Sequence, residues 1–245
     1  MARQWRYGTV GDVEIARTIG TGPLSIRPHF HETVQVTIVT SGTRAFRTRA
    51  GVVRAHAGHA IVIPANLPHA AFPLAGEDDS VNVYLPPGAL AGLPGGRPIK
   101  VATPAGAERF PPHRLASDLR ALLAAAPVSR REPAPTALAA AVMDTSADLP
   151  TLAARFAVSR EAVIRRFTRE TGLTPHAFRV IARLNVARRL LRAGVAPAEA
   201  AARAGFADQS HLGRRFRAAF GTTPGRYRGQ TYGPEDVTFV PDSRG

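Results

Sequence analysis

The chain has 245 residues, which suffices for two ordinary domains, and a hydrophobic fraction of 44%, which is enough for a folded core. The absence of cysteine excludes a disulfide framework and thiolate metal sites, and no apolar run approaches the roughly 20 residues of a membrane span. The start of the chain lacks the apolar core of a signal peptide, so we expect a cytoplasmic protein that does not contact a membrane.

The formal net charge of +14 indicates a polyanionic partner, and this charge is unevenly distributed. Residues 151–230 contain sixteen Arg and four acidic residues, a net charge of +12. Residues 1–85 contain eight Arg and six acidic residues, a net charge of only +2. The sequence therefore predicts that the C-terminal part carries the polyanion-binding surface.

Residues 9–85 predict an antiparallel β domain. Short apolar segments at 34–39, 60–63 and 81–85 are separated by Gly, Pro and Ser, as in the turn at Ser41 and Gly42. Many short strands at such spacing are typical of a sandwich or a small barrel.

Within this region, histidines and turn residues are spaced as in the cupin double motif, which the segment resembles. The first motif comprises His29, His31, Gln35 and Gly42, and the second comprises Gly58, Pro64 and His69. The resemblance implies an antiparallel barrel in which His29, His31, Gln35 and His69 converge. Metal-binding cupins carry Glu at the position of Gln35, so the carboxylate that would offset a cation is missing. Asn66 and Pro73 also depart from the motif, at the positions of a turn Gly and a terminal Asn.

Three interpretations of these residues remain open. The favoured one is a pocket without a metal cofactor, in which a small organic effector contacts His31, Gln35 and His69. The other pocket residues would then be His29, Arg44 and Phe46. A divalent metal held by the same four cupin positions is the second interpretation, since neutral imidazole suits Zn, Fe, Ni and Cu. In the third, the histidines only cap a strand.

Residues 89–135 are rich in Pro and Gly and predict a linker that contains one helix, at 113–126. Leu115, Leu119, Leu122 and Ala126 follow a 4-3-4 spacing, which favours a helix paired with its copy in a homodimer. The alternative is a helix packed on its own β domain. Residues 136–143 predict the first helix of the next domain, and residues 231–245 predict a loose tail.

The C-terminal part contains one helical unit twice, at a constant offset of 49 positions. Ser159 and Asp208 are strong N-cap residues at the start of each copy. Apolar residues four apart follow them and predict a buried stripe. The exposed face of each helix carries Arg or Gln, side chains that form paired hydrogen bonds with guanine and adenine in the major groove.

These two helices therefore predict a double DNA-binding surface. In the first copy its residues are Ser159, Arg160, Glu161, Ile164, Arg165 and Arg166. In the second they are Asp208, Gln209, Ser210, His211, Arg214 and Arg215. The second helix is expected to carry at least half of the specificity, because Glu161 repels phosphate and Ile164 contacts only a thymine methyl.

Residues 205–212, Arg215, Phe216 and 220–224 resemble the signature of AraC/XylS-type transcription regulators, and the resemblance covers about residues 136–229. It implies two helix-turn-helix units joined by a long helix, here at about 174–192, that enter successive major grooves on one face of DNA.

The sequence thus predicts an α+β protein of two domains. A cupin-like sensor occupies 1–88, the linker 89–135, the double helix-turn-helix domain 136–230 and the tail 231–245. The expected function is a bacterial transcription regulator that binds promoter or operator DNA under the control of a small molecule. RNA polymerase is a further expected partner, whereas activation versus repression stays open. The alternatives are a metal-dependent cupin enzyme with a DNA-binding appendage, which the Gln35 position disfavours, and a DNA binder without an effector.

Overall fold

The computed structural model describes residues 4–10, 13–19, 26–74, 78–90, 98–103, 121, 136–144 and 147–229. Across these ranges the N-terminal part is built of β-strands and the C-terminal part of α-helices, which confirms the predicted α+β class. None of the helices in these ranges combines the length and apolar character needed to cross a bilayer.

The strands of the described residues form two antiparallel sheets rather than one closed barrel, an arrangement found in double-sheet jelly rolls. The larger sheet has the order β1-β2-β8-β3-β6-β9 and the smaller the order β5-β4-β7. The strands are β1 Gln4–Val10, β2 Val13–Ile19, β3 Val34–Ser41, β4 Thr43–Thr48, β5 Gly51–His56, β6 His59–Ile63, β7 Ala70–Ala71, β8 Asp79–Leu85 and β9 Ile99–Ala102.

The three strands expected from the sequence are β3, β6 and β8, and they are adjacent in the larger sheet, with β3 in the middle. Two apolar clusters pack against this sheet. One contains Val36, Val62 and Val83, and the other joins the two sheets through Phe46 and Ile61. Burial is nearly continuous along these three strands, and this is the physical reason that they could be recognised as short apolar segments.

The sensor sheet extends beyond the predicted boundary at residue 88. Leu90, at the end of a 3-10 helix from Pro87 to Leu90, is buried in the sensor core. Strand β9 lies within the segment assigned to the linker. It pairs with β6 and so covers a sheet edge that would otherwise be open. The predicted dimerisation helix at 113–126 lies outside the described residues except for position 121, and so does the tail at 231–245.

The helices of the described residues confirm the internal repeat. They are α1 Ala137–Met143, α2 Leu149–Arg155, α3 Arg160–Thr171, α4 Pro175–Arg192, α5 Pro197–Arg203, α6 Gln209–Phe220 and α7 Pro224–Arg228. Helices α3 and α6 have the same length and each ends at a left-handed glycine, Gly172 or Gly221. Helix α4 joins the two units as predicted, and Thr174 caps its first turn.

Candidate DNA-binding surface and effector pocket

Helices α3 and α6 place the sequence-predicted DNA-binding residues on two matching surfaces. Their buried faces carry Val163 and Phe167 in α3, and Leu212 and Phe216 in α6, all 0% exposed. Of the twelve predicted residues, ten are exposed, and Ile164 and His211 are half-buried. The opposite faces of both helices are therefore free of the core.

Three of the predicted residues position the helices in this structure. Ser159 Oγ accepts a hydrogen bond from the Ala162 N–H at 3.1 Å, and Asp208 Oδ1 accepts one from the His211 N–H at 2.6 Å. The His211 ring packs edge-on against Phe206, with 5.4 Å between ring centroids. These side chains fix the first turn of each helix, which carries the exposed Arg160 in α3 and the exposed Gln209 in α6.

Glu161 is an anion at the start of α3. Hydrogen bonds from its own backbone N–H and from Ser159 lower the pKa of the Glu161 carboxyl. Its negative charge favours the helix N-terminus but disfavours phosphate, and the weaker DNA contact expected of α3 stays a prediction.

An open groove of about 610 Å³ runs along α6. Its lining residues are Ser210, Gly213, Arg214, Arg217, Ala218 and Thr223. Arg217 was absent from the predicted site, although it lies one helical turn from Gly213 and Arg214. The three- and four-residue spacing was the signal that would have included it.

A second, enclosed cavity lies between the sensor sheets and the helical domain. It is lined by Trp5, Tyr7, Ile26, His29, Gln35, Arg44, Phe46, His69, Ala71, Asn82, Tyr84 and Ala219. Five of the six predicted pocket residues line it, whereas His31 lies next to it on the side of the helical domain. Its volume of about 10 Å³ is close to the space that one water molecule needs.

The sequence prediction missed the aromatic and amide part of the lining. Trp5 and Tyr7 are two positions apart in β1 and therefore point to the same side of the sheet. The same holds for Asn82 and Tyr84 in β8. The period of two between these side chains was visible in the sequence. The sequence did not show that β2 pairs with β8, and this pairing brings β1 to the cavity.

Several polar atoms of the cavity are buried without a hydrogen-bond partner in the described part of the chain. They are Trp5 Nε1, Gln35 Oε1 and His69 Nε2. The amide nitrogen of Gln35 donates to Thr37 Oγ1 at 3.0 Å, so only its oxygen remains available. One donor and two acceptors thus face a site with the polar character of a binding pocket.

His29, His31 and His69 form a compact group, with one ring nitrogen of each within 4.8 Å of the others. Burial lowers the pKa of His69 to about 4. Burial also places the pKa values of His29 and His31 well below the usual range. Repulsion from His69 further lowers the pKa of His29, and repulsion from Arg188 further lowers that of His31. All three rings are therefore neutral near pH 7, the state in which imidazole ligates a metal.

The end of α6 closes the cavity. Ala219 contributes to its lining, and the Phe220 ring lies 5.9 Å from the His29 ring and 5.7 Å from the His31 ring. The Tyr7 hydroxyl donates to the Phe220 carbonyl at 2.9 Å. Because these contacts cross from sensor to helix, the pocket is shared by the two domains.

Arg188 of α4 makes the most extensive polar contact between the domains and is 5% exposed. It donates to Glu14 Oε1 from two nitrogens, at 2.7 and 3.2 Å, and to the Tyr227 hydroxyl at 3.0 Å. It also donates to His31 Nδ1. Its guanidinium lies 4.4 Å from the Tyr84 ring centroid. We call Arg188, Glu14, His31, Tyr84 and Tyr227 the Arg188 cluster.

Phe30 ties the same sensor segment to the first helix-turn-helix unit. It is 2% exposed, and its ring stacks on Phe178 at 4.6 Å. The Phe30 carbonyl accepts a hydrogen bond from Asn185 Nδ2 at 3.0 Å. His29 lines the shared pocket and His31 lies beside it against Phe220, so the segment contacts both helical units at once.

Comparison with known proteins agrees with both halves of this architecture. The AraC-like ligand-binding domain matches residues 11–145, more than half of the chain, and a helix-turn-helix domain matches residues 152–230. Among solved structures, ToxT from Vibrio cholerae O395 has a TM-score of 0.57 at 11% identity, over 97% of this chain and 98% of ToxT. At that identity the likeness concerns the fold.

Two curated relatives match shorter parts of the chain. The transcriptional activator NphR of a Rhodococcus species is 41% identical over 86 residues, 35% of this chain and 25% of NphR. The HTH-type transcriptional regulator YbfI of Bacillus subtilis is 43% identical over 54 residues, 22% of this chain and 20% of YbfI. The matched segments thus span a quarter or less of these relatives. Because the AraC-like ligand-binding domain matches more than half of the chain and a helix-turn-helix domain follows it, the chain belongs to the family of AraC-type transcription regulators that carry an N-terminal sensor domain.

Proposed function

We propose that this protein is a sequence-specific DNA-binding transcription regulator of the bacterial cytoplasm, whose DNA affinity is set by a small molecule in the pocket shared by its two domains. The observation that carries the proposal is the pair of equal, capped helices α3 and α6. Both bury an apolar stripe and expose a face with several Arg, to which α6 adds Gln209. Two such helices are suited to successive major grooves, about 34 Å apart.

Affinity and specificity have separate sources in this proposal. The net positive charge of the helical domain neutralises phosphates, which gives binding that weakens as salt rises. Arg165 and Arg214 occupy equivalent positions of the two helices and are the candidates for direct base contact. Loss of one such contact costs roughly 1–3 kcal/mol and relaxes specificity at one position.

Effector control follows from the size of the shared cavity. At about 10 Å³ it does not admit an organic molecule, so an effector must bind an arrangement in which Ala219 and Phe220 have moved away. A structure of ToxT, which has the same fold, is of the unsaturated fatty acid-bound protein. An occupant of that size would separate the two domains here. A tenfold change in DNA affinity needs about 1.4 kcal/mol of coupling between pocket and DNA.

The partners beyond DNA extend this proposal. Homodimerisation through residues 113–126 stays a prediction, because that helix lies outside the described residues. A dimer would double the number of bound half-sites. Contact with RNA polymerase would decide whether the bound protein activates transcription.

The test is selection of bound genomic DNA fragments by the purified protein at two salt concentrations. We expect an enriched motif with two parts about one helical turn apart, and Arg214→Ala should lose discrimination at one position. Arg54→Ala removes the same charge from an exposed position of the sensor domain and serves as the control. Salt-sensitive binding without any motif would refute sequence-specific recognition.

A further inference from the structure

We propose that two interactions of His31 exclude each other. One is ligation of a divalent transition-metal ion by His29, His31 and His69, and the other is the hydrogen bond from Arg188 to His31. The ion thereby acts as a signal that loosens the contact between the sensor and the DNA-binding domain. The regulatory part rests on the proposed function above, since it assumes that domain contact affects DNA binding. The chemical part rests on the hydrogen-bond network of the three rings.

The network assigns the proton on each ring. His29 Nδ1 and His69 Nδ1 donate to the carbonyls of Arg27 and Leu67, at 2.9 and 2.8 Å, because a carbonyl only accepts. Both rings therefore present a lone pair at Nε2. His31 is reversed, since Arg188 only donates and occupies the lone pair of His31 Nδ1.

His31 consequently carries its proton on Nε2. That atom lies 3.1 Å from His29 Nε2 and donates to it. The His31 ring thus has neither nitrogen free for a metal while Arg188 contacts it. Its Nδ1 is engaged by the guanidinium, and its Nε2 is protonated.

The rest of the site suits an ion. His69 Nε2 and Gln35 Oε1 are buried acceptors without a hydrogen-bond partner in the described part of the chain, and both face the cavity. Neutral imidazole nitrogens and an amide oxygen are ligands for Zn²⁺ and its neighbours in the periodic table. A cavity of about 10 Å³ matches an ion rather than an organic molecule.

Ligation by all three Nε2 atoms requires a change of tautomer at His31. The proton leaves Nε2 and a proton is taken up at Nδ1, so the ring stays neutral. The new N–H then faces the N–H groups of Arg188, and two donors cannot share a hydrogen bond. Arg188 must withdraw from His31, which disturbs the Arg188 cluster and hence the position of α4.

Both DNA-binding units register this change. Helix α4 joins them, and Phe30, between the two ligating histidines, stacks on Phe178 in the core of the first unit. Phe220, which contacts His29 and His31, is the last residue of α6. Metal binding thus perturbs contacts that neither domain makes alone.

The experiment is a titration of the full chain with zinc chloride, followed by calorimetry and by the emission of Trp5. Trp5 is the only tryptophan of the chain and contacts Gly221 at the domain boundary. His69→Gln removes one ligand without touching Arg188. His56→Gln removes an exposed histidine of the same domain and is the matched control. The double variant Glu14→Gln/Arg188→Met removes the competing hydrogen bond without leaving one charge buried alone.

We expect one Zn²⁺ per chain and a shift of Trp5 emission in the wild type. Binding should weaken at least tenfold in His69→Gln and stay unchanged in His56→Gln. The double variant should bind zinc about tenfold more tightly, equivalent to about 1.4 kcal/mol, and show no further emission change. Equal zinc affinity in the double variant and the wild type would refute the exclusion, and so would a wild-type emission that zinc leaves unchanged.

The titrations contain no DNA, so their outcome is independent of the proposed function. Sequence-specific DNA binding that saturating zinc leaves unaltered would overturn the signal while the regulator assignment stands. A chain that binds zinc as expected but selects no DNA motif would instead refute the proposed function.

Discussion

Replacing Glu14 by Gln should release the helical domain from the sensor. Glu14 is 2% exposed, and its Oε1 atom accepts hydrogen bonds from Arg188 at 2.7 Å and from the Tyr227 hydroxyl at 2.8 Å. Its Oε2 atom lies 3.5 Å from Arg192. All these partners belong to the helical domain, so Glu14→Gln removes a charge that the sensor contributes to the boundary while preserving the shape of the side chain.

The magnitude follows from the burial of Arg188. Removing one partner of a buried ion pair costs roughly 3–5 kcal/mol, because the other charge stays desolvated. The amide of Gln retains one acceptor, so we expect about 3 kcal/mol, at the low end of that range. Arg188 regains water only if the domains separate, and the cost therefore falls first on domain contact rather than on the folding of either domain.

The assay is urea titration monitored by Trp5 emission and by far-ultraviolet circular dichroism. We expect the emission change to precede the loss of helix in Glu14→Gln, whereas the two should be closer together in the wild type. Comparison with Arg188→Met and the double variant gives the coupling energy, expected at about 2–3 kcal/mol. A coupling below about 0.5 kcal/mol, with both transitions unmoved, would refute the view that this pair holds the domains together.

Three further predictions concern backbone, groove and pH. Gly172 and Gly221 are equivalent in the repeat and have φ angles of 79° and 69°, but a Cβ at Gly221 would lie 2.6 Å from Trp5. In urea unfolding, Gly172→Ala should lower the free energy of unfolding by about 1–2 kcal/mol, because alanine disfavours the left-handed backbone. Gly221→Ala should lower it further, and equal losses in the two variants would contradict the Trp5 contact. Gly213→Ala should stabilise α6 by about 1 kcal/mol yet weaken DNA binding in a fluorescence anisotropy assay, since the methyl group enters the groove; undiminished affinity would exclude close approach of DNA. Burial lowers the pKa of His69 from 6.5 to about 4, so the contribution of the neutral His69 ring to folding stability is complete above pH 6.5 and falls by about 3 kcal/mol as the pH drops to 4. Denaturation midpoints that do not change between pH 7 and 4 would contradict the burial of His69.

The helical domain could be predicted almost completely from the sequence because its signals are local. The N-caps at Ser159 and Asp208 and the glycines that end the helices act within a few residues. The joining helix was expected at 174–192 and is observed at Pro175–Arg192 with Thr174 as its cap. The exposed faces followed from the spacing of the apolar stripe.

The sensor was predicted in outline, since strand periodicity gives burial but not pairing. Asn66 shows how a local departure can be harmless. It replaces a turn glycine but adopts a φ angle of 61°, which Asn tolerates better than most residues. Strand β9 was missed because its short apolar segment lies between Pro- and Gly-rich stretches, and only the open edge of β6 gives it a partner.

The contacts between the domains could not be derived from the sequence. Glu14 and Arg188 are 174 positions apart, and neither residue has a local signature. An isolated buried charge is costly, but its partner is visible only once both domains are placed. His31 was assigned to the pocket for its spacing, whereas its position at the domain boundary became apparent only from the Arg188 contact.

This boundary explains how a small occupant of the pocket can affect DNA binding without a long pathway through the protein. In the extended segment 29–31, side chains alternate in direction, so His29 lines the pocket and His31 lies beside it, while Phe30 enters the first helical unit. Both histidines contact Phe220 of the second unit, and His31 also accepts a hydrogen bond from Arg188 of the joining helix. A ligand that moves these rings must therefore change the contacts of the rings with both units. The difference in contact energy between the two arrangements is the coupling free energy between pocket and DNA. In the regulation that we propose, the ligand and the DNA-binding domain compete for shared residues, because the atoms that would hold the ligand are those that hold the DNA-binding domain.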